Sequence, residues 1–299
     1  MLELSCPSCG STLEMLDSTS KRCLREQFVF HRTDGIWRML LPGRESFYAH
    51  FIEEYQEIRR RERRGSADPE YYRTLPYHPS DDWRIRAKTF DLFVKKVLGP
   101  AENPRVPLCI LDLGAGNGWL SNRLSDRGHK VAAVDLTVNA FDGLGCVRFY
   151  GNEFMAVQAE FDHLPFPEES ADMVVFNASL HYSTGYEATL GEAMRTLTPG
   201  GRIVVLDSPV YSDPASGEQM VVEREAQFKR EYGFPSNSLP SENYLTWSRL
   251  QDLSSRFGIE QEWITPFYGL RWMARPLVAR ALRRREPAGF HLIILKRKG

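Results

Sequence analysis

Apolar and polar positions change rhythm twice along this chain. Residues 1–43 are turn-rich and end at Leu41-Pro42-Gly43, a boundary signal. From 46 to 64, Phe47, Phe51, Tyr55 and Ile58 recur at three- and four-residue spacing, which predicts an amphipathic helix with a charged outer face. Pro69, Pro76 and Pro79 among turn residues make 65–80 read as a linker. A helical period resumes over 83–98 and stops at Gly99-Pro100.

From Leu108 onward, short apolar runs alternate with amphipathic segments, the pattern of parallel strands joined by crossover helices. Strands are predicted at 108–112, 130–135, 154–160, 173–177, 202–207, 259–264 and 290–296, and helices at 118–126, 187–197 and 243–257. The predicted fold is therefore α/β: a doubly wound, mostly parallel seven-stranded sheet behind a small Cys-containing N-terminal module. Three regions follow: a module at 1–43, helix and linker at 44–80, and the main domain at 81–299 with insertions near 211–242 and 266–288. No internal repeat or low-complexity tract interrupts this organisation.

The first strand of the alternation runs into Leu111-Asp112-Leu113-Gly114-Ala115-Gly116-Asn117-Gly118-Trp119-Leu120. Glycine lets the backbone turn sharply and lets a ligand come into contact with it. Asp135 closes the second strand, 21 positions after Gly114, where a carboxylate accepts hydrogen bonds from ribose hydroxyls. Strand, glycine turn, helix and acid together predict a nucleotide site. A dinucleotide-binding dehydrogenase uses the same architecture, but its third glycine comes one residue later than Gly118.

The Leu-Asp-Leu-Gly-Ala-Gly-Asn-Gly run resembles the donor loop of class I S-adenosylmethionine-dependent methyltransferases of the type 11-like, Rossmann-like group. Glu160-Phe161-Asp162-His163-Leu164-Pro165-Phe166 resembles that family's adenine-holding segment, and Leu197-Thr198-Pro199-Gly200-Gly201 its turn before the fifth strand. The resemblance covers residues 80–210 with a looser match beyond. It implies S-adenosylmethionine bound over Asp112, Gly114, Ala115, Gly116, Gly118, Asp135, Leu136, Glu160, Phe161 and Asn177. Asp112 is then expected to organise the loop or meet the donor's amino group.

Acceptor residues belong at the carboxyl ends of strands four and five, in Asn177-Ala178-Ser179-Leu180-His181-Tyr182 and Asp207-Ser208-Pro209-Val210-Tyr211. His181 is the candidate general base; its other reading is a packing residue at the donor's edge. Residues 211–242, with Tyr211, Phe228, Tyr232 and Phe234, are too long for a simple connection and predict a lid or acceptor-binding insertion. Ahead of the domain, Tyr77-His78-Pro79 and Trp83-Arg84-Ile85-Arg86 are placed to close over the donor, with an arginine for its carboxylate.

Cys6-Pro7-Ser8-Cys9-Gly10 with Cys23 resembles half of a zinc ribbon, a module found ahead of some methyltransferases that modify ribosomal RNA guanines. A zinc there needs a fourth ligand, for which Glu26 and His31 are the candidates. The alternative is a metal-free knob folded around Phe28, Phe30, Ile36 and Trp37. Five cysteines, an odd number, fit reduced thiols or such a knot rather than a disulfide framework.

Composition narrows the partners. The net charge of −1 gives no global field for nucleic acid or membrane. Two basic clusters stand out, at 59–64, read as a solvated helix face, and at 280–285. Residues 267–287 mix apolar side chains with Arg271, Arg275, Arg280, Arg283, Arg284 and Arg285: a surface for RNA phosphate or anionic lipid, or simply an exposed helix. The start lacks the pattern of a secretory signal and no apolar run is long enough to span a bilayer, so a cytoplasmic location is expected. The sequence thus predicts methyl transfer to a small-molecule acceptor. An RNA base methyltransferase and a non-catalytic S-adenosylmethionine-binding regulator are the alternatives.

Overall fold

The computed structural model describes residues 2–103 and 105–297. It begins with β1 (Leu13–Asp17), β2 (Ser20–Cys23), β3 (Val29–Thr33) and β4 (Ile36–Arg38), an antiparallel meander. Next come α1 (Arg44–Arg61), α2 (Pro69–Thr74) and α3 (Asp81–Phe93), the last continuing through a π-helical turn at Val94–Leu98 into α4 (Gly99–Ala101). The alternation follows as β5 (Cys109–Leu113), α5 (Trp119–Asp126), β6 (Lys130–Asp135), β7 (Met155–Gln158), β8 (Ala171–Asn177), α6 (Tyr186–Thr196) and β9 (Leu197–Leu206). The remainder is β10 (Pro209–Tyr211), α7 (Pro214–Tyr232), β11 (Leu245–Thr246), α8 (Trp247–Phe257), β12 (Ile259–Ile264), α9 (Leu270–Met273), α10 (Arg275–Ala281), β13 (Gly289–Phe290) and β14 (Leu292–Arg297).

Seven strands lie in the order β7-β6-β5-β8-β9-β14-β12, the first five parallel and β14 antiparallel to both its neighbours. Ile110, Leu111, Val134, Val174, Val175 and Val204 are fully buried, as expected of central strands covered on both faces. The chain winds outward from β5 through β6 to β7, then returns to β8 on the other side. The crevice at the carboxyl ends of β5 and β8 is therefore the switch point where ligands bind in open α/β sheets.

The sheet is larger and more mixed than predicted, with eleven strands. The N-terminal meander adds to it: β4 pairs in parallel with β7 through Ile36↔Ala156, Trp37↔Val157 and Arg38↔Gln158. The physical reason is edge pairing, since β7 would otherwise leave a row of backbone donors and acceptors without partners. The module's Leu2, Leu4, Phe30, Trp37 and Met39 share one core with Val157, Leu164 and Phe166.

Other expectations need correction. The supposed linker contains α2, whose Asp68 cap accepts from the Glu70 amide at 2.9 Å. On α1 the buried side chains are Tyr48, Glu54 and Ile58, while Phe47 points outward. The turn at 197–201 is the opening of β9, and the strand at 154–160 stops at Gln158. The strand at 290–296 breaks in two: Phe290 pairs with Pro209 in a separate β11-β10-β13 sheet, and Leu292 onward joins the main sheet. That second sheet ties together the two insertions.

Candidate functional site

β5 ends in the glycine turn, and three of its residues adopt left-handed backbone: Gly114 (φ +76°), Gly116 (φ +55°) and Gly118 (φ +81°). At Gly114 the need is steric as well. A Cβ there would lie 2.3 Å from the Ser179 Cβ and 3.3 Å from Phe161 Cζ. Asp135 holds the turn in place. One carboxylate oxygen accepts from the Gly116 amide at 2.8 Å; the other accepts from the Thr137 amide and hydroxyl, each at 2.7 Å. Burial raises the Asp135 pKa, against the pull of these bonds.

Asp112 lies beneath the turn and lines neither part of the cleft. Its Oδ2 accepts from Ser121 Oγ at 2.7 Å, fastening β5 to α5, while its buried Oδ1 has no partner. Burial pushes its pKa up to about 7.

The cleft has two lobes. The first is lined by Asp135, Leu136, Thr137, Glu160, Phe161 and Ser179, under Tyr48, Phe51 and Tyr55 of α1 and Leu239 of the insertion. Phe161 is braced edge-on by Phe176 at 5.6 Å. The sequence reading gave Glu160 to adenine, but Arg44 and Tyr48 have taken its carboxylate. Arg44 Nε donates at 2.9 and 3.0 Å, and Tyr48 Oη donates at 2.7 Å. Helix α1, placed by sequence outside the domain, is thereby fixed as the cover of this lobe. Phe51, Tyr55 and Tyr182 form an aromatic cluster with centroids 5.8–6.1 Å apart.

The second lobe shares Gly114, Gly116 and Ala178 with the first, and adds Ala115, Asn117, Asn177, His181 and Asp207, with Trp83, Trp119 and Phe290 as aromatic walls. Arg59 enters it from α1 and pairs with buried Asp142, so the first residue of the 59–64 cluster is a site residue instead of part of a solvated face. Of the Trp83–Arg86 segment, Trp83 and Arg86 line this lobe, with Arg86 over the Trp83 ring at 5.3 Å. Tyr77 and His78 line neither lobe.

His181 is brought in with its Nδ1 3.4 Å from Ser208 Oγ and its ring 4.5 Å from that of Tyr182. Burial, reinforced by Arg224 and Arg86, lowers its pKa to about 3, so the imidazole is neutral at working pH. Asp207, in left-handed backbone at φ +51°, accepts from Thr89 Oγ1 at 2.8 Å, and burial raises its pKa. The insertion also closes on this loop, where the Asn243 amide donates to the His181 carbonyl at 2.8 Å.

Sequence reasoning missed Arg44, Tyr48, Arg59, Asp142 and Leu239, because nothing local marks a helix or a loop as a cover. Buried acids give a partial signal: Asp207 stands in the quoted fifth-strand loop, yet only its burial singles it out. The cleft suits an adenosyl donor. It has a turn that tolerates no side chain at Gly114, and the carboxylate of Asp135 lines it while bracing that turn.

In the N-terminal module the Sγ atoms of Cys6, Cys9 and Cys23 lie within 4.8 Å of one another. Among the described residues no fourth His, Cys, Asp or Glu joins them. Glu26 offers Cys23 Sγ only its backbone amide, at 3.4 Å, and His31 Nδ1 pairs with Ser20 Oγ at 3.2 Å across the β2–β3 ladder. Neither candidate fourth ligand is in position. The donors present, three thiols, are those zinc accepts, one short of a closed structural site.

Residues 111–205 match the family described as the methyltransferase domain. The chain is 34% identical over 134 residues to the demethylmenaquinone methyltransferase of Thermus thermophilus, covering 43% of this chain and 56% of that protein. It is 34% identical over 116 residues to the ubiquinone/menaquinone biosynthesis C-methyltransferase UbiE of Vibrio campbellii, covering 36% and 44%. The chain thus spans about half the length of these curated relatives. A solved S-adenosylmethionine-dependent methyltransferase from Mesorhizobium loti is 18% identical, with a TM-score of 0.47, over 68% of this chain and 97% of that one. The glycine turn and its carboxylate brace both fall inside residues 111–205, the segment that matches the methyltransferase domain family.

Proposed function

We propose that the whole chain transfers a methyl group from S-adenosylmethionine to a small-molecule acceptor held in the second lobe. One observation carries the reading: Gly114, Gly116 and Ala178 border both lobes, so the ribose-type carboxylate of Asp135 and the chamber of His181 belong to one continuous cleft. When bound, the sulfonium donor supplies a methyl already activated for in-line displacement, so the protein's task is alignment. Asp135 receives the ribose hydroxyls. Phe161 and the α1 aromatics provide an apolar sleeve for the base. His181, held neutral, accepts a hydrogen bond from the acceptor hydroxyl or amine and aligns the attacking atom with the methyl group. Trp83, Trp119, Tyr55, Tyr182 and Phe290 exclude water and suit a planar ring. The names of the quinone-pathway relatives favour a quinone-type ring within that class.

Calorimetric titration with S-adenosylhomocysteine beside NAD tests the donor site. Wild type is expected to bind the former alone, and Asp135→Ala neither. NAD binding, or no binding by wild type, rejects the reading. Turnover of donor with ring-bearing acceptors then tests transfer: His181→Ala should lose turnover while keeping donor affinity. A wild type that binds donor and turns over with no acceptor is a regulator instead.

A further inference from the structure

We propose that residues 263–285 are a docking surface for an anionic phospholipid bilayer. Seven large apolar side chains in this stretch stand in solvent: Trp263, Phe267, Leu270, Met273, Leu277, Val278 and Leu282 are 52, 63, 79, 61, 72, 53 and 55% exposed. On a soluble face such a concentration is costly, and a contiguous exposed apolar patch marks an interaction site.

These side chains are not a displaced piece of core, because the segment is already anchored by other groups. Tyr268 Oη bonds Thr89 Oγ1 at 2.8 Å, Arg275 donates to the Ala288 carbonyl at 2.9 Å, and Trp272 packs on Phe290 at 6.0 Å. With Tyr268, Trp272 and Arg275 spent inward, α9 and α10 keep Leu270, Met273, Leu277 and Val278 outward.

Charge identifies the occupant. Residues 263–285 contain six arginines and no Asp or Glu, in a chain whose net charge is −1. Arg271, Arg280, Arg283 and Arg284 are exposed and form no ion pair among the described residues. Arg280, Arg283, Arg284 and Arg285 line an open groove between α10 and the start of α7, where Arg285 pairs with Glu223 at 2.6 Å and Asp213 and Glu286 are the acids of the wall. Apolar side chains flanked by the guanidinium groups of Arg271, Arg280, Arg283 and Arg284, which form no ion pair among the described residues, fit the acyl–headgroup boundary of an anionic leaflet, where tails cover the former and lipid phosphates meet the latter. A nucleic acid would satisfy the arginines but leave the aliphatic side chains in water, and a second copy of this segment would oppose like charges. Among the described residues no helix is long and apolar enough to cross a membrane, so the contact is peripheral. Phe290, against which Trp272 packs, also lines the second lobe of the cleft, so docking brings that lobe to the membrane surface. The inference stands without methyl transfer.

Cosedimentation of the full chain with vesicles of phosphatidylcholine and phosphatidylglycerol, against phosphatidylcholine alone, tests it. The variants are Leu270→Ser with Leu277→Ser, and Arg280→Glu with Arg283→Glu and Arg284→Glu; S-adenosylhomocysteine binding and circular dichroism check that both remain folded. Wild type is expected to partition onto the anionic vesicles, with at least about tenfold weaker partitioning for each variant. Absence of partitioning, partitioning unchanged in both variants, retention on RNA in place of vesicles, or a wild-type dimer abolished by the Leu variant would each overturn the proposal.

Discussion

Arg44, the first residue of α1, and Glu160, just past β7, are 116 positions apart and joined by hydrogen bonds of 2.9 and 3.0 Å from the guanidinium Nε to the two carboxylate oxygens. Glu160 is 2% exposed, and Tyr48 of the same helix donates to it as well. An acid expected to meet a ligand is thus the anchor of the helix that covers the ligand's cleft.

Removing one partner of a buried pair leaves the other charge without compensation and costs about 3–5 kcal/mol. The Arg44 side chain is 31% exposed, so the low end applies. Arg44→Ala should destabilise the fold by about 3 kcal/mol, read as a lowered urea midpoint. It should also increase proteolysis within α1. Unchanged cleavage there would show that other contacts hold the cover.

Gly114→Ala places a methyl 2.3 Å from the Ser179 Cβ, at φ +76°. Backbone strain alone costs about 1–3 kcal/mol, and the turn must also shift away from Ser179. Donor affinity should fall between about 10- and 100-fold by calorimetry. Adding Ser179→Gly should recover the steric part of the loss and not the part due to the positive φ.

His181, with a folded pKa of about 3 against an ordinary 6.5, binds its proton more readily in the unfolded chain. The stability it contributes is fully present above pH 6.5 and is lost as pH falls toward 3, by roughly 1.4 kcal/mol per unit. Asp112 acts in the opposite sense: with its pKa raised to about 7, its contribution is lost as pH rises from 3.8 to 7. The comparison that isolates the histidine is wild type against His181→Gln, whose unfolding free energies should converge as pH falls from 6.5 to 4. A constant difference over that range would place the imidazole in water.

Three thiols within 4.8 Å are expected to hold one zinc per chain, with the fourth position open to water. Elemental analysis after purification without chelator checks this. Cys9→Ser should carry substoichiometric metal, and chelation should loosen β1–β4 first, because metal binding is coupled to folding of the strands that present the ligands. Metal-free wild type with unchanged thermal stability would mark the module as a metal-free knob.

Local chemistry was legible where it repeats with a short period or sits in one turn. The strands at 130–135 and 259–264 read correctly to the residue, since continuous or alternating apolar runs end at turn signals there. The strand, the positive-φ glycine turn, the helix after it and the acid at the end of the next strand were legible because they occupy one stretch of chain. Partners distant in sequence were not legible. The β4–β7 pairing, the reach of Arg44 to Glu160, the entry of Arg59 to meet Asp142, and the division of 289–297 between two sheets all join residues whose own neighbourhoods give no sign of it.

The sequence by itself determined the α/β alternation, the glycine turn and the acid at the end of the strand that follows, because each depends on backbone geometry and periodicity within a few residues. Tertiary structure alone decided that the cysteine module extends the sheet, that α1 covers the first lobe of the cleft, that Asp135 braces the glycine turn, and that His181 and Asp207 face one chamber. Edge pairing, buried charge pairing and desolvation are relations between surfaces, and they exist only once the chain has folded.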